Sequence, residues 1–118
     1  MKPKLVDDEF IFCSVSEKQL TTLKLKPLMI FKEEEGITII LQKKDADLNS
    51  LEYKDVWALI TLTVHSDLAA VGFLARITAA LAKEGISVNA VSAYYHDHLF
   101  VPKAKSEKAL TILKELSH

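Results

Sequence analysis

The stretch from Trp57 to Leu81 changes its hydrophobic period once, and this change constrains the fold more than any other feature of the chain. Up to His65, apolar residues alternate with a mixed set, which is the period of a strand with one buried face. From Leu68 onward, apolar residues recur every three or four positions, which predicts an amphipathic helix. The apolar positions of that predicted helix are Leu68, Val71, Leu74, Ile77 and Leu81. The stretch therefore predicts a strand that leads directly into a helix.

The rest of the second half extends this pattern. Ser66 or Asp67 is a candidate N-cap for the helix, and Gly85 is placed to end it at the C′ position, with Lys83 in the last turn. Two strands over 86–94 and 98–102 and a closing helix over 104–117 are predicted next. This order is most of a ferredoxin-like βαββαβ unit without its last strand. The sheet edge left open needs cover, either from the first half of the chain or from a second chain.

The first half has a similar order of predicted elements. A strand over 9–15 is followed by Ser16, which is placed to cap a short helix in a capping box with Gln19. Lys26-Pro27 ends that helix, because the residue before a proline avoids the α region. Strands over 28–32 and 37–42 follow, joined by a turn at Glu35-Gly36, and residues 43–55 are a polar candidate boundary. The tetrapeptide Glu35-Gly36-Ile37-Thr38 also resembles Glu84-Gly85-Ile86-Ser87, which suits two related halves, residues 1–50 and 51–118.

Composition restricts the classes of function. The net charge is −1 and the basic residues are scattered, so nothing points to nucleic acid or to an acidic membrane surface. No apolar run approaches the roughly 18 residues that span a bilayer. The single cysteine, Cys13, lies within an apolar strand and is expected to be a buried thiol. We expect a cytoplasmic protein without a membrane partner.

The stretch Tyr95-His96-Asp97-His98 is the most polar cluster of potential ligands. A tight turn at His96-Asp97 between two strands accounts for it, since aspartate tolerates positive φ. A metal site would require His65 to join His96 and His98, and no His-Glu-x-x-His or paired-cysteine motif supports one. The chain also lacks a Gly-x-Ser-x-Gly elbow and a glycine-rich phosphate loop. We therefore predict no metal, no cofactor and no catalytic residues.

The junction between the first strand and first helix of the second half is the best candidate site. The free N–H groups at the start of a helix attract anions. Gly72, predicted to lie one turn inside this helix, serves either close packing against a strand or space for a ligand. Asn89, a polar residue in an apolar strand, is either a satisfied edge residue or a ligand contact.

Residues 57–74, together with Gly85-Ile86-Ser87-Val88-Asn89-Ala90 and the stretch 94–102, resemble an ACT domain, in particular that of small bacterial proteins with two tandem ACT-like halves. The resemblance implies an α+β fold of two ferredoxin-like ACT-like halves, with antiparallel sheets and helices on one face. It also implies a regulatory protein that binds an amino acid at an interface between paired domains. The ligand contacts it implies are His65, Ser66, Asp67, Leu68, Val71, Gly72 and Asn89, with Tyr95 and His96 helping to line the site.

These observations lead to one preferred function and two alternatives. The preferred function is non-catalytic binding of an amino acid by a regulatory ligand sensor, in a homodimer. The α-carboxylate would meet the helix N–H groups and Asp67 would meet the α-ammonium group. The alternatives are a protein–protein interaction module without a small effector, and a metal-dependent enzyme that uses His65, His96 and His98.

Overall fold

The structure is a computed structural model that describes residues 1–63 and 71–117. In chain order its elements are β1 (Pro3–Leu5), β2 (Phe10–Val15), α1 (Glu17–Thr22), β3 (Met29–Lys32), β4 (Ile37–Gln42), α2 (Lys43–Leu48), β5 (Trp57–Leu62), α3 (Phe73–Lys83), β6 (Asn89–Ser92), β7 (Asp97–Pro102) and α4 (Ser106–Leu116), with a short 3₁₀ turn at Lys103–Lys105. They form two compact units, one of residues 8–56 and one of residues 1–7 with 57–118. The predicted division into 1–50 and 51–118 differs chiefly in the first seven residues, which pack with the second unit.

The unit of residues 8–56 has an antiparallel sheet in the order β3-β4-β2. Alternate residues of β2 and β4 face one core, which also contains Ala46 of α2. The predicted capping box is confirmed, because the Ser16 hydroxyl accepts from the Gln19 N–H at 3.1 Å and the Gln19 side chain accepts from the Ser16 N–H at 2.9 Å. Helix α2 lies within the stretch that was predicted to be only a polar boundary.

The second unit has an antiparallel sheet in the order β1-β5-β7-β6. One face of this sheet packs against α3 and α4. Its buried core consists of Ala58, Ile60, Leu62, Ile77, Leu81, Ile86, Leu99, Val101, Ala109 and Leu113. The opposite face carries the other residues of β5 and β7, among them Thr61 and His98, which oppose each other in the register. Helices therefore cover one face of the sheet, as the fold class predicted.

The strand that the second half lacks is supplied by the first residues of the chain. β1 pairs antiparallel with the end of β5, so that Leu5 lies opposite Ile60 and Pro3 opposite Leu62. The Val6 N–H donates to the Leu59 carbonyl at 2.9 Å, which extends the pairing beyond β1. Leu5 also packs against the core of the second unit. Of the two alternatives for covering this edge, the structure uses the first half of the same chain.

The two units repeat the same strand register. Val15 opposes Ile37 in the first unit as Leu62 opposes Asp97 in the second. The outer strands also correspond, with Met29–Lys32 of β3 in the place of Asn89–Ser92 of β6. The tetrapeptide resemblance seen in the sequence does not follow this repeat. Gly36 lies in a hairpin, whereas Gly85 follows a helix.

The predicted end of α3 is confirmed and its predicted start is wrong. Gly85 has φ +73°, its N–H donates to the Ala82 carbonyl at 2.9 Å, and the Ile86 N–H donates to the Leu81 carbonyl at 3.0 Å. These two bonds form a Schellman motif. The helix starts at Phe73 with Gly72 as its N-cap, so Gly72 lies before the first turn. The predicted caps, Ser66 and Asp67, lie outside the described residues. Val71 is 98% exposed and does not belong to the buried stripe.

The hairpin between β6 and β7 turns earlier than the sequence predicted. The Ala93 N–H donates to the His96 carbonyl at 3.0 Å, which places Tyr94 and Tyr95 at the tip. Asp97 is the first residue of β7 and lies opposite Leu62, on the face that α3 and α4 cover. The predicted turn at His96-Asp97 is therefore wrong, because Asp97 occupies a strand position that faces the core.

Candidate ligand site

The second unit collects polar side chains at one end of its sheet. There β5 ends, β7 begins at Asp97, and the hairpin of residues 93–96 closes the strand pair. Asp97 is only 7% exposed, although its neighbours on the same face are aliphatic core residues. Burying a carboxylate is costly unless it is paired or hydrogen-bonded. A buried aspartate at a strand end is therefore a feature that packing alone does not require.

His98 and Thr61 form a polar pair on the opposite face of the same sheet. The Thr61 hydroxyl and Nδ1 of His98 are 3.0 Å apart, within hydrogen-bond distance. Burial lowers the pKa of His98, the nearby His96 lowers it further, and Asp97 opposes the shift. The imidazole is therefore biased towards its neutral form, in which one ring nitrogen accepts and the other donates.

His96 follows the hairpin tip and lies beside His98. Their ring centroids are 6.3 Å apart and the ring planes are nearly perpendicular, at 85°. Nδ1 of His96 is buried, and no atom in the described part of the chain forms a hydrogen bond with it. A buried polar atom without a partner is uncommon, so this nitrogen is a candidate contact for a ligand.

Tyr94 and Tyr95 project from the hairpin tip beside these histidines. Their rings meet edge to face with centroids 5.0 Å apart, and both side chains are exposed. An aromatic ring with a polar tip suits contact with a partner that is partly apolar. Tyr94 and Tyr95 could therefore line one side of a ligand site at this end of the sheet.

Gly72 explains how α3 starts. Its φ of +83° lies in the left-handed region, which favours glycine. A Cβ built at this position would have no atom of residues 1–63 or 71–117 within 4 Å, so packing against these residues does not account for the glycine. Gly72 also has no side chain with which to cap the helix. By contrast, Ser16 and Gln19 close the start of α1 with their own side chains.

The predicted contacts fall into three groups. His65, Ser66, Asp67 and Leu68 lie outside the described residues. Val71 and Gly72 lie directly before α3, whereas Tyr95 and His96 belong to the hairpin that precedes β7. Asn89 is exposed at the start of β6, opposite Phe100 and on the face away from the helices. It lies three residue pairs along the sheet from Asp97, the first residue of β7. The structure therefore separates Asn89 from the hairpin side chains.

Sequence reasoning missed the buried position of Asp97 and the pairing of Thr61 with His98. A signal for both was present in the sequence. Alternation from Val101 back through Leu99 places Asp97 on the core face and His98 on the other face. Asp97 was instead read as a turn residue, because aspartate is common in turns.

The first unit has a pocket of about 290 Å³ beside β2, the strand that corresponds to β5 of the second unit. It is lined by Cys13, Ser14, Gln19, Ser50, Leu51 and Glu52. Burial raises the pKa of the Cys13 thiol, which lies 3.3 Å from the Glu52 carbonyl oxygen. This thiol is therefore kept in its neutral form, as expected for a cysteine that packs rather than reacts.

Neither a metal site nor a membrane-spanning helix is found in the described ranges. No group of three or more His, Cys, Asp or Glu side chains within residues 1–63 and 71–117 is arranged to hold a metal ion. His65, the third member of the hypothetical metal site, lies outside these ranges. Of the helices within the same ranges, none combines the length and apolar character needed to cross a bilayer.

Comparison with known proteins places the chain in a family. Two models of the ACT domain match it, one over residues 1–58 and the other over residues 52–115. A Vibrio cholerae protein of unknown function, described as a possible transport protein, is 41% identical, with a TM-score of 0.90 over 99% of this chain and 90% of that one.

More distant structures share the fold at low identity. The regulatory subunit of aspartate kinase from Thermus flavus is 11% identical, with a TM-score of 0.74 over 100% of this chain and 98% of that one. An Agrobacterium tumefaciens protein is 17% identical, with a TM-score of 0.73 over 97% and 87% of the two chains. The comparison with curated proteins found no significant match. The chain belongs to the ACT domain family and carries two ferredoxin-like ACT domains in tandem.

Proposed function

We propose that this protein is a regulatory sensor that binds an amino acid at the start of α3 in its second ACT domain. The observation that carries the proposal is the difference between the two units at this junction. The first helix of unit 8–56 is closed by a capping box, whereas α3 starts at a glycine where a Cβ would meet none of the described residues within 4 Å. A helix start that lacks a side-chain cap leaves N–H groups for a carboxylate.

The proposed ligand is a free amino acid because the site supplies partners for both of its charges. The N–H groups at the start of α3 receive the α-carboxylate, while Asp67 pairs with the α-ammonium group. Asp97 places a second carboxylate at the adjoining sheet end. The contacts proposed around them are His65, Ser66, Leu68, Val71, Tyr95 and His96. Asn89 lies on the face of the sheet away from the helices. Its contact with the ligand requires a second domain over that face.

The regulatory part of the proposal is supported by the domain family and by the likeness to the regulatory subunit of aspartate kinase. In this view the chain performs no chemistry and acts through the effector that it binds. The effector shifts a partner's activity through its preference for one state of the assembly. A homodimer is the proposed assembly, in the cytoplasm.

The experiment that tests this function is a thermal-shift screen of tag-free protein against the twenty amino acids, followed by calorimetric titration of the best ligand. A ligand that binds only the folded state raises the melting temperature by mass action. We expect one amino acid, or a small set of similar ones, to raise it selectively. Nucleotides and divalent metals are the control ligands, and a rise with metal alone would favour the histidine-based alternative.

Gly72→Arg locates the site within the second unit, because its side chain would extend into the space at the start of α3. We expect an affinity loss of about tenfold or more, equivalent to at least about 1.4 kcal/mol. Gly72→Asn is the matched control, since asparagine tolerates positive φ and is small. Urea unfolding of both variants separates loss of binding from loss of stability. Unchanged affinity in Gly72→Arg would exclude the proposed position.

A further inference from the structure

The pocket of the first unit is bounded by the segment that follows α2. Its volume is about 290 Å³, close to the lower limit of small-molecule sites, which span roughly 300–1,000 Å³. Its lining residues come from β2, from α1 and from this segment: Cys13, Ser14, Gln19, Ser50, Leu51 and Glu52. All six belong to the compact unit of residues 8–56. The pocket therefore shares no residue with the site proposed at α3.

The segment that bounds the pocket is held in place by its backbone. The Leu51 N–H donates to the Ala46 carbonyl at 2.9 Å, which closes the end of α2. The Cys13 thiol donates to the Glu52 carbonyl at 3.3 Å and ties the segment to β2. Leu51 also packs against the core of this unit. The wall of the pocket is therefore formed before a ligand binds, and a ligand does not have to order it.

Ser50 occupies a position in this segment where glycine is usual. Its φ is +53°, and it is the one residue other than glycine with a positive φ within residues 1–63 and 71–117. Its N–H donates to the Asp47 carbonyl at 3.2 Å, which makes it the C′ residue of a Schellman motif at the end of α2. Gly85 has the same position at the end of α3. Because glycine adopts this conformation without strain, the Ser50 side chain at the pocket reduces stability.

Gly36 leaves room for a second hydroxyl group of the lining. A Cβ at this position would lie 2.7 Å from Oγ of Ser14, closer than van der Waals contact allows. Gly36 does not have a positive φ, so its backbone conformation is open to other residues. The missing side chain at this position therefore preserves the position of the Ser14 hydroxyl.

Among the lining residues, Glu52 carries the charge. Burial raises the pKa of the Cys13 thiol and keeps it neutral. In the described part of the chain, no lysine or arginine forms an ion pair with Glu52. Oε1 of Gln19 accepts from the Ser16 N–H at 2.9 Å, which fixes this amide and leaves its nitrogen with two donors. The lining therefore offers one carboxylate, one amide donor group and two hydroxyl groups.

These groups favour one class of ligand. A carboxylate pairs with an ammonium group, and hydroxyl and amide groups form hydrogen bonds with hydroxyl groups. A free amino acid fits less well, because its α-carboxylate would repel Glu52 and the lining has no cation to pair with it. A metal ion also fits less well, since calcium and magnesium require more oxygen ligands than one carboxylate and two hydroxyl groups provide.

We propose that this pocket binds a small amine that carries hydroxyl groups, such as an amino alcohol or an amino sugar. Glu52 pairs with the ammonium group, while Ser14, Gln19 and Ser50 form hydrogen bonds with the hydroxyl groups. This inference goes beyond the proposed function, because it gives the first ACT domain a cationic ligand and not an amino acid. The chain then has two ligand sites of different chemistry.

NMR titration of the full chain, labelled with ¹⁵N, tests the class of ligand. We expect glucosamine and ethanolamine to cause saturable shifts at the amides of residues 13–14 and 50–52, at up to about 10 mM, which reveals dissociation constants in the millimolar range. Glucose, which lacks the ammonium group, and alanine, which adds a carboxylate, are the control ligands. No saturable shift with either amine, or equal affinity for glucose or alanine at these amides, would overturn the proposal.

Glu52→Gln tests the charge that the proposal requires. We expect it to weaken binding of glucosamine about tenfold or more, because the charge-assisted bond to the ammonium group is lost. Glu34→Gln is the matched control, since Glu34 is also exposed in the same unit but does not line the pocket. It should change the affinity by less than about twofold. Gly72→Arg, in the other unit, should also leave the affinity unchanged. Equal effects of Glu52→Gln and Glu34→Gln, or loss of glucosamine binding in Gly72→Arg, would refute the pocket.

Ser50→Gly separates the role of this side chain from its effect on stability. Glycine relieves the positive φ, so we expect the melting temperature to rise by about 2 °C or more. Loss of the hydroxyl group should at the same time weaken glucosamine binding about threefold or more. A more stable protein with unchanged affinity would contradict the proposed contacts, because the strained serine would then contribute nothing to the ligand.

Discussion

Asp97 occupies, in the second unit, the place that Ile37 occupies in the first. Each is the first residue of its strand and lies opposite the last residue of an inner strand, Leu62 and Val15 respectively. Both are nearly inaccessible to solvent. The two units therefore share a backbone register but differ in the chemistry of this strand end. An isoleucine satisfies packing there, so the carboxylate of Asp97 points to a role other than filling the core.

Asp97→Asn removes the charge of this side chain and nearly preserves its shape. If the carboxylate contributes to binding an α-ammonium group, the affinity for the amino-acid ligand falls about tenfold, because a charge-assisted bond is roughly twice as strong as a neutral one. Calorimetric titration measures this change. The control is Ile37→Val in the first unit, which we expect to reduce stability by about 0.5–1.5 kcal/mol without changing the affinity. Wild-type affinity in Asp97→Asn would remove Asp97 from the site.

Gly72→Ala tests whether the backbone, rather than packing, requires glycine at the start of α3. A Cβ at this position meets no atom within 4 Å in the described part of the chain, so the expected destabilisation comes from the left-handed φ of +83°. We expect a loss of about 1–2 kcal/mol in the free energy of unfolding for alanine. Asparagine visits this region more readily and is expected to cost less. Urea unfolding measures both, and equal losses would contradict the backbone explanation.

His98 makes stability depend on pH near neutrality. Its pKa in the folded state is lowered, first by burial and then by His96. The unfolded chain therefore binds more protons than the folded one as pH falls through the ordinary histidine value of about 6.5. Stability from this residue is fully present above that value and is lost progressively as pH falls towards the lowered pKa. We expect the urea midpoint to drop between about pH 7.5 and about pH 5.5.

His98→Thr is the matched variant for this pH dependence, because Thr38 occupies the equivalent position in the first unit. Its urea midpoint should vary less over the same pH range. The wild-type histidine resonances, followed by NMR, should include one that titrates below the usual range. An equal slope in both proteins would assign the dependence to other groups.

Features set by neighbouring residues were predictable from the sequence, whereas features set by distant pairing were not. The capping box at Ser16 and the end of α3 at Gly85 depend on residues within about one helical turn, and both predictions are confirmed. β4 matches its predicted range because its β-branched and aliphatic residues, Ile37 to Leu41, end at a polar segment. The family resemblance identified the domain type over the second half.

The failures have physical causes. Helix α2 buries only Ala46, so its six residues carry almost no apolar period. The apolar period of the predicted helix continues through Gly72. The sequence therefore predicts helical backbone there and gives no signal of the positive φ. Aspartate is common in turns, and this preference favours a turn at Asp97. The alternation with Leu99 and Val101, which places Asp97 on the core face of a strand, is the correct signal. Four of the predicted ligand contacts, His65, Ser66, Asp67 and Leu68, lie outside the described residues, and the predicted site remains a prediction.

β1 is the clearest long-range feature, and its contribution can be measured. It has three residues and pairs with a strand that begins more than fifty positions later. Leu5 packs against the core of the second unit, whereas Lys4 is exposed on the other face. We expect Leu5→Ala to cost about 2 kcal/mol or more in the free energy of unfolding, and Lys4→Ala less than about 0.5 kcal/mol.

Hydrogen exchange would show which unit depends on β1. The Thr63 N–H donates to the Lys2 carbonyl and the Val6 N–H to the Leu59 carbonyl, so loosening β1 exposes the edge of β5. In Leu5→Ala, amides of β1 and β5 should exchange faster, while those of β4 in the first unit keep their rates. The reverse pattern would mean that the first residues support the first unit. Because β1 replaces the strand that the second half lacks, we expect the second unit to lose protection first.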